Sequence, residues 1–333
     1  MIQRFKVVIA IFIFYQSSCY SNKKYIQYID SKENHVSLFT EEKGQGVPIV
    51  FIHGNSFDHS VWIKQFSDSR LNRFRLISYD LRGHGKSVHF NSAAKYKDQY
   101  SLSLHAEDLG EILKQKKLDN AIVVGWSLGG NIILHYLGAS KNPPFGKAVI
   151  FGAPPSFGLS MDNSYPGKHP DVSSGLFKDF LLSRKPDEKA MRSFIKYALQ
   201  KDFSQKENLS EQEMEKWLKV LSKVDGYARA GIMDGIIPIV QDISDGKRDM
   251  SLEEYRSYNI VQAELLDRVE NIKTPVHVIV SDNDFFSIEQ MEYFLKLNPD
   301  YFSLSKVYHA GHAVFYNSSD LFYNELETFL NKN

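Results

Sequence analysis

The chain has 333 residues, 43% hydrophobic and 24% charged, with 40 basic residues against 40 acidic ones. This composition excludes a disordered or low-complexity chain, and the absence of a basic block or net charge argues against nucleic acid as a partner. A single cysteine, Cys19, excludes an intrachain disulfide, and the 11 histidines show no metal-ligand spacing, so no cofactor or metal is expected. The length suits roughly two domains, or one large domain carrying an insertion.

The N-terminus reads as a targeting signal over residues 1–18. Arg4 and Lys6 precede nine apolar residues, Val7 to Tyr15, and Gln16-Ser17-Ser18-Cys19 follows. A basic start, a short apolar run and small residues at its end describe an export signal, and the run is too short to span a bilayer. Small residues before the only cysteine also resemble a bacterial lipoprotein signal, with Gln16 departing from the aliphatic residue usual there. The expected location is therefore outside the cytoplasm: periplasmic, secreted, or held at a membrane surface by lipid on Cys19.

Beyond it, Tyr25 to Asp30 and His35 to Thr40 alternate like half-buried strands, with Glu41 to Gly46 expected as the turn that follows. Val47 to Ile52 is an unbroken apolar run, the pattern of a strand buried on both faces of a parallel sheet, and it ends in His53-Gly54-Asn55-Ser56. A helix presenting Val61, Trp62 and Phe66 should follow. Phe74 to Tyr79 is the next strand and leads into Asp80-Leu81-Arg82-Gly83-His84-Gly85-Lys86-Ser87. Leu102 to Leu113 is an amphipathic helix with Ser101 or Ser103 as cap.

Ala121 to Gly125 is apolar and runs into Gly125-Trp126-Ser127-Leu128-Gly129-Gly130, followed by the helical pattern Asn131 to Leu137. Strand, sharp turn and helix is the context that gives a G-x-S-x-G string chemical meaning: the serine projects from the apex, and the Leu128 N–H at the helix start can face an oxyanion. Lys147 to Phe151 is another buried strand, ending in Gly152-Ala153-Pro154-Pro155. Residues 156–250 read as helical, rich in Lys, Glu and aromatics, with candidate helices Gly175–Leu182, Asp187–Leu199, Glu211–Lys223 and Tyr227–Ile236. We read this stretch as an inserted helical cap dividing one core into residues 25–155 and 251–333. The β/α alternation resumes with the strands Pro275 to Val280 and Phe302 to Val307, the helix Ile288 to Leu297 between them, and a last helix Val314 to Leu330. The fold class is thus α/β, a mostly parallel sheet covered by helices on both faces, in which ligands bind beyond the carboxyl ends of the strands.

A serine hydroxyl needs a base, and the base needs a carboxylate. After Ser127, Asp282 and Asp284 lie at one strand end, and His309 and His312 beyond the next. With these residues in view, the chain resembles the cap-bearing Ser-Asp-His members of the α/β-hydrolase fold superfamily. Four matches carry the resemblance: His53-Gly54-Asn55 as oxyanion loop, Asp80 to Ser87 as the D-x-R-G-x-G-x-S turn, Gly125 to Gly130 as nucleophile elbow, and Ser281 to Asp284 with Gly311-His312 as acid and base loops. The resemblance implies Ser127 as nucleophile, His312 as base and Asp284 as acid, with Asp282 the alternative acid. It also implies the Asn55 and Leu128 N–H groups as oxyanion donors. His309 is expected to pack or hydrogen-bond near the site, the Asp80–Ser87 turn to hold its loop without doing chemistry, Asp108 to lie on a helix surface or behind the site, and Trp126 to wall the pocket or pack. The implied reaction is acyl transfer from a carboxylic ester or lactone to water. The elbow, the His-Gly-Asn-Ser loop and Gly152 to Pro155 also resemble a subgroup that includes acyl-homoserine-lactone hydrolases. A serine at the elbow disfavours dehalogenase and epoxide-hydrolase chemistry. Carbon–carbon bond hydrolysis, acyl transfer to another alcohol and a non-catalytic binding module are the alternatives. The expected partner is a small acyl ester or lactone.

Overall fold

A computed structural model describes residues 24–90, 97–154, 179–181, 183–200, 209–231, 268–284, 286 and 288–331. The expected signal over residues 1–18, Cys19, most of helix 175–182 and the end of helix 227–236 lie outside the described residues.

Eight strands form one sheet: β1 (Tyr25–Ile29), β2 (His35–Lys43), β3 (Val47–Ile52), β4 (Phe74–Tyr79), β5 (Ala121–Trp126), β6 (Phe145–Phe151), β7 (Val276–Asn283) and β8 (Phe302–Gly311). Their order is β1-β2-β4-β3-β5-β6-β7-β8. β1, β2 and β4 pair antiparallel, and every pairing from β4 through β3 to β8 is parallel. The described helices are α1 (Ile63–Ser67), α2 (Lys97–Tyr100), α3 (Leu102–Gln115), α4 (Leu128–Ala139), α5 (Glu188–Leu199), α6 (Glu211–Leu221), α7 (Gly226–Gly231), α8 (Ile288–Leu297), α9 (Val314–Asn317) and α10 (Ser319–Leu330).

The central strands are apolar on both faces because both are covered. Along β3, Ile49 and Phe51 join a layer with Trp62, Phe315 and Phe322, while Val50 and Ile52 join the opposite layer with Leu109, Ile133 and Leu134 of α3 and α4. Alternation along a strand is what sends neighbouring residues to opposite layers. The first layer also takes in Phe194 of α5 and Trp217 of α6, so these helices, which lie between β6 and β7 in the chain, continue the core. Phe57 is the joint, with ring centroids 4.9 Å from Trp126, 6.0 Å from Phe194 and 5.5 Å from Trp217.

Four local expectations are corrected. Glu41 to Lys43 belong to β2, not to a turn, because they pair with Ser78 to Leu76 of β4; only Gly44 and Gly46, at φ 83 and 117, make the turn. There a Cβ would lie 2.4 Å and 2.3 Å from the carbonyl oxygens of Phe74 and Arg73. Val61 and Trp62 sit in a 3₁₀ turn, His59–Trp62, ahead of the short α1. The last helix is two, α9 and α10, broken at Ser318. Finally, β7 and β8 each run past the expected ends, to Asn283 and Gly311, which pair with one another.

Candidate active site

The elbow is built from close approaches that only glycine permits. A Cβ on Gly129 would lie 2.3 Å from the Ile52 carbonyl oxygen, and one on Gly125 would lie 2.6 Å from the Gly129 backbone. These contacts press α4 against β3 and β5 and leave Ser127 at the apex with φ 54 and ψ −119. A non-glycine residue held there costs on the order of 1–3 kcal/mol, an expense tolerated where the surrounding packing enforces it. The Ser127 N–H donates to the Phe151 carbonyl at 2.9 Å, and the Ser127 carbonyl accepts from Gly130 and Asn131, so the serine backbone is tied on both sides while the residue stays half-buried.

The loop after β3 lies against this turn. A Cβ on Gly54 would stand 3.2 Å from the Ser127 Cβ and 3.1 Å from the Trp126 ring. The N–H groups of Asn55 and Leu128 make no hydrogen bond among the described residues. For Leu128 this follows from its place at the first position of α4, where no carbonyl lies one turn back. Two uncommitted backbone donors thus flank the serine.

Asp284 and His312 arrive together because β7 and β8 are parallel neighbours. Asn283 pairs with Gly311, so the next residue on each strand, Asp284 and His312, is brought side by side. His312 Nδ1 lies 2.9 Å from Asp284 Oδ1, and both side chains are 5% exposed. A carboxylate accepts, so Nδ1 carries the proton and Nε2 is left with the lone pair. Gly152, at φ 60, forms the floor: a Cβ there would be 2.5 Å from His312 Cε1 and 3.4 Å from Asp284 Oδ2. Trp126 is buried beneath the site, donating Nε1–H to the His312 carbonyl at 3.1 Å, with its ring centroid 5.4 Å from the imidazole. It therefore packs, and through that hydrogen bond it fixes the base loop. From the insertion, the Tyr197 ring centroid lies 6.0 Å from the imidazole.

The competing carboxylate, Asp282, accepts the Ala310 N–H at 3.2 Å and so braces the base loop. His309, expected to pack or hydrogen-bond near the site, is exposed at φ 59 and so does not pack. Asp108 is not on a surface: it is fully buried and holds Arg82 by two hydrogen bonds, Nε to Oδ2 at 2.8 Å and Nη2 to Oδ1 at 2.7 Å. Arg82 also donates to Asp30 at 2.9 Å, to the Gln99 carbonyl at 2.9 Å and to the Tyr28 hydroxyl at 3.1 Å, and the Asp108 and Asp30 carboxylates hold its guanidinium charged despite its burial. Asp80 is likewise buried, and sequence reasoning missed its partner. His59 gives it both its N–H and Nδ1 at 2.7 Å, while the Lys86 N–H reaches its other oxygen at 2.8 Å. Burial opposes both charges, yet the contact wins: the His59 pKa is raised and the Asp80 pKa lowered. Asp58, His59 and Asp80 are the one group among the described residues whose ligand atoms lie within 4.8 Å of one another. Within it Asp80 and His59 bond to each other, and Asp58 accepts the Ser60 N–H at the start of a 3₁₀ turn.

This combination of a parallel sheet, a strained serine elbow and an aspartate–histidine pair at the next strand ends is the arrangement of the α/β hydrolases. A profile of the alpha/beta hydrolase fold family matches residues 47–319, and the chain belongs to that family. Among curated relatives, pimeloyl-[acyl-carrier protein] methyl ester esterase of Vibrio cholerae is 30% identical over 148 residues, 44% of this chain and 52% of that protein. The chain spans about half the length of the curated relatives it matches. Among solved structures, an esterase from Exiguobacterium antarcticum has a TM-score of 0.65 at 21% identity, covering 93% of this chain and 99% of that one. An N-acyl homoserine lactonase mutant complexed with N-hexanoyl homoserine lactone also has a TM-score of 0.65 at 21% identity, covering 92% and 97%. At such identities the two structures speak to the fold alone.

Proposed function

We propose that the protein is a serine hydrolase of carboxylic esters, lactones included, acting through an acyl-enzyme on Ser127. The observation that carries this reading is the His312–Asp284 hydrogen bond at the ends of neighbouring strands, beside a serine held at positive φ. In the first half-reaction His312 Nε2 takes the Ser127 proton as Oγ attacks the carbonyl carbon. The developing oxyanion lies between the Asn55 and Leu128 N–H groups, whose fixed dipoles need no reorganisation. Asp284 keeps the imidazole in the Nδ1–H tautomer and stabilises the imidazolium. His312 then protonates the leaving alcohol, and the carbonyl reforms as the C–O bond breaks. In the second half, water gives a proton to His312 and attacks the acyl carbon; His312 then gives that proton to Ser127 Oγ as the acyl C–O bond breaks, releasing the acid and free Ser127. The ester-cleaving relatives support the bond type, and cyclic esters are included because the elbow and the His53 to Ser56 loop resemble those of acyl-homoserine-lactone hydrolases. The inserted helices act as a cap, with Tyr197, Phe194 and Trp217 bringing apolar surface toward the base.

A p-nitrophenyl acyl series together with a lactone panel and a fluorophosphonate label tests the reading. Turnover and labelling that both vanish in Ser127→Ala are expected. Full activity in that variant sinks the mechanism. We further propose export, with lipid on Cys19; mass spectrometry of the mature N-terminus should find acylated Cys19, and an intact Met1 would rule export out.

A further inference from the structure

The Asp80–Ser87 turn has no part in the chemistry above, yet it and the oxyanion loop exchange histidines. His53, on the loop, accepts the Leu81 N–H on Nε2 at 3.0 Å, and its Nδ1 is 2.8 Å from the Gly54 carbonyl. His84, on the turn, accepts the Ser56 N–H on Nε2 at 3.1 Å, and its Nδ1 is 3.0 Å from the Arg82 carbonyl. Carbonyl oxygens only accept, so both rings carry the proton on Nδ1 and the lone pair on Nε2. The other His84 tautomer would donate toward Asn55 Oδ1, 3.4 Å away. It would do so by setting N–H against the Ser56 N–H and a lone pair against the Arg82 carbonyl, exchanging two shorter bonds for one long one. Both rings are fully buried, with centroids 5.3 Å apart. Burial, reinforced by His53, pushes the His84 pKa down to about 3, which favours the neutral, accepting ring.

What this brace holds is a strained peptide. Ser56 sits at φ 72, a left-handed conformation that a non-glycine residue keeps only under constraint. Its N–H is part of the peptide that follows Asn55. On the far side of Asn55, its Nδ2 donates to the Arg229 carbonyl of α7 at 3.0 Å. The same stretch of the insertion reaches the turn, where the Asp225 N–H donates to the Gly83 carbonyl at 2.8 Å. The oxyanion loop is therefore clamped from the turn through His84 and from the insertion through Arg229.

We propose that His84 is a positioning residue of the oxyanion hole: by accepting the Ser56 N–H it fixes the peptide beside Asn55 and aims the Asn55 N–H at the reacting carbonyl oxygen, without touching substrate. The inference rests on the ester-hydrolase reading. Its test compares wild type, Ser127→Ala, His84→Phe and His84→Gln as full-length chains, reading kcat and KM on p-nitrophenyl butyrate and inhibition by phenylboronic acid. That boronate forms a tetrahedral adduct whose oxygen occupies the oxyanion position. With the donor misaimed, His84→Phe should lose about 10²-fold in kcat, with KM nearly constant and boronate affinity falling in parallel. His84→Gln, which restores an acceptor, should recover part of both. Unchanged kcat and boronate affinity in folded His84→Phe overturns the proposal, as does a loss confined to KM. If His84→Phe does not fold, the imidazole ¹⁵N shifts of the wild type decide: an Nδ1–H ring supports the role, and an Nε2–H ring ends it. A wild-type chain that neither hydrolyses the ester nor binds the boronate overturns the hydrolase reading, and this role with it. That failure appears in the wild type and not only in the variant.

Discussion

The two sides of the candidate site are built on different principles. The acid–base side is a pair of side chains on adjacent parallel strands, joined by one hydrogen bond of 2.9 Å and floored by Gly152. The proposed oxyanion side rests on backbone N–H groups, and its loop is held by buried histidines, a left-handed serine and a docked helix. The difference follows from what each must do. A base has to change its charge during the cycle, which suits the place proposed for His312, at a strand end against the Asp284 carboxylate. A hydrogen-bond donor to a developing anion gains by not moving, and here the loop is fixed by buried histidines whose charged form burial disfavours.

The largest expected effect breaks the chemistry and leaves both sides standing. Ser127→Ala should reduce ester turnover by at least ~10⁴-fold, with the thermal midpoint unchanged or higher because the strained position loses its hydroxyl but not its fold. Asp284→Asn follows: with the tautomer no longer enforced, kcat should fall by about 10⁴-fold. Asp282→Asn, whose amide oxygen can still accept the Ala310 N–H, should retain most activity, so steady-state kinetics on the two variants separate the carboxylates.

On the oxyanion side the next effect is on stability. Arg82→Leu strands Asp108 and Asp30 as buried anions without their cation, and removing one partner of a buried pair typically costs about 3–5 kcal/mol. Urea denaturation should read that loss directly. A midpoint equal to wild type would mean that the turn is not held by Arg82.

The smallest effect is the most diagnostic of charge. Against burial, Asp80 holds the His59 pKa up and His59 holds the Asp80 pKa down. A raised histidine contributes stability that is complete below its unfolded value, about 6.5, and is lost as pH rises through the folded one. A lowered aspartate contributes above its unfolded value, about 3.9, and loses that contribution as pH falls. The pair is therefore worth most between about pH 4 and 6.5. The difference in thermal midpoint between wild type and His59→Ala should be largest in that window and shrink toward pH 9. A pH-independent difference would assign His59 to packing alone.

Much of the candidate site was legible in the chain because its chemistry is local. Gly125, Ser127 and Gly129 must be neighbours in sequence to make the elbow, and the order serine, aspartate, histidine follows from the order of strands. The choice between Asp282 and Asp284 was left open by spacing alone. It turns on the pairing of Asn283 with Gly311, a register between strands roughly 30 residues apart that no local pattern encodes. His84 and His59 were also unreadable: each lies in a polar turn, the usual setting of a solvated histidine, and only the arrival of Ser56 or Asp80 makes it a buried partner.

The amino-acid sequence by itself determined the parallel α/β framework, the elbow and the candidate nucleophile, because apolar period, glycine placement and strand–turn–helix succession act over a few residues. Tertiary structure alone decided which carboxylate faces the base, that Asp108 closes a buried ion pair with Arg82, and that the oxyanion loop is braced from two other segments. Those outcomes depend on which strand ends and loops the sheet brings within hydrogen-bonding distance, and a contact across 28 or 174 positions has no signature in either segment read alone.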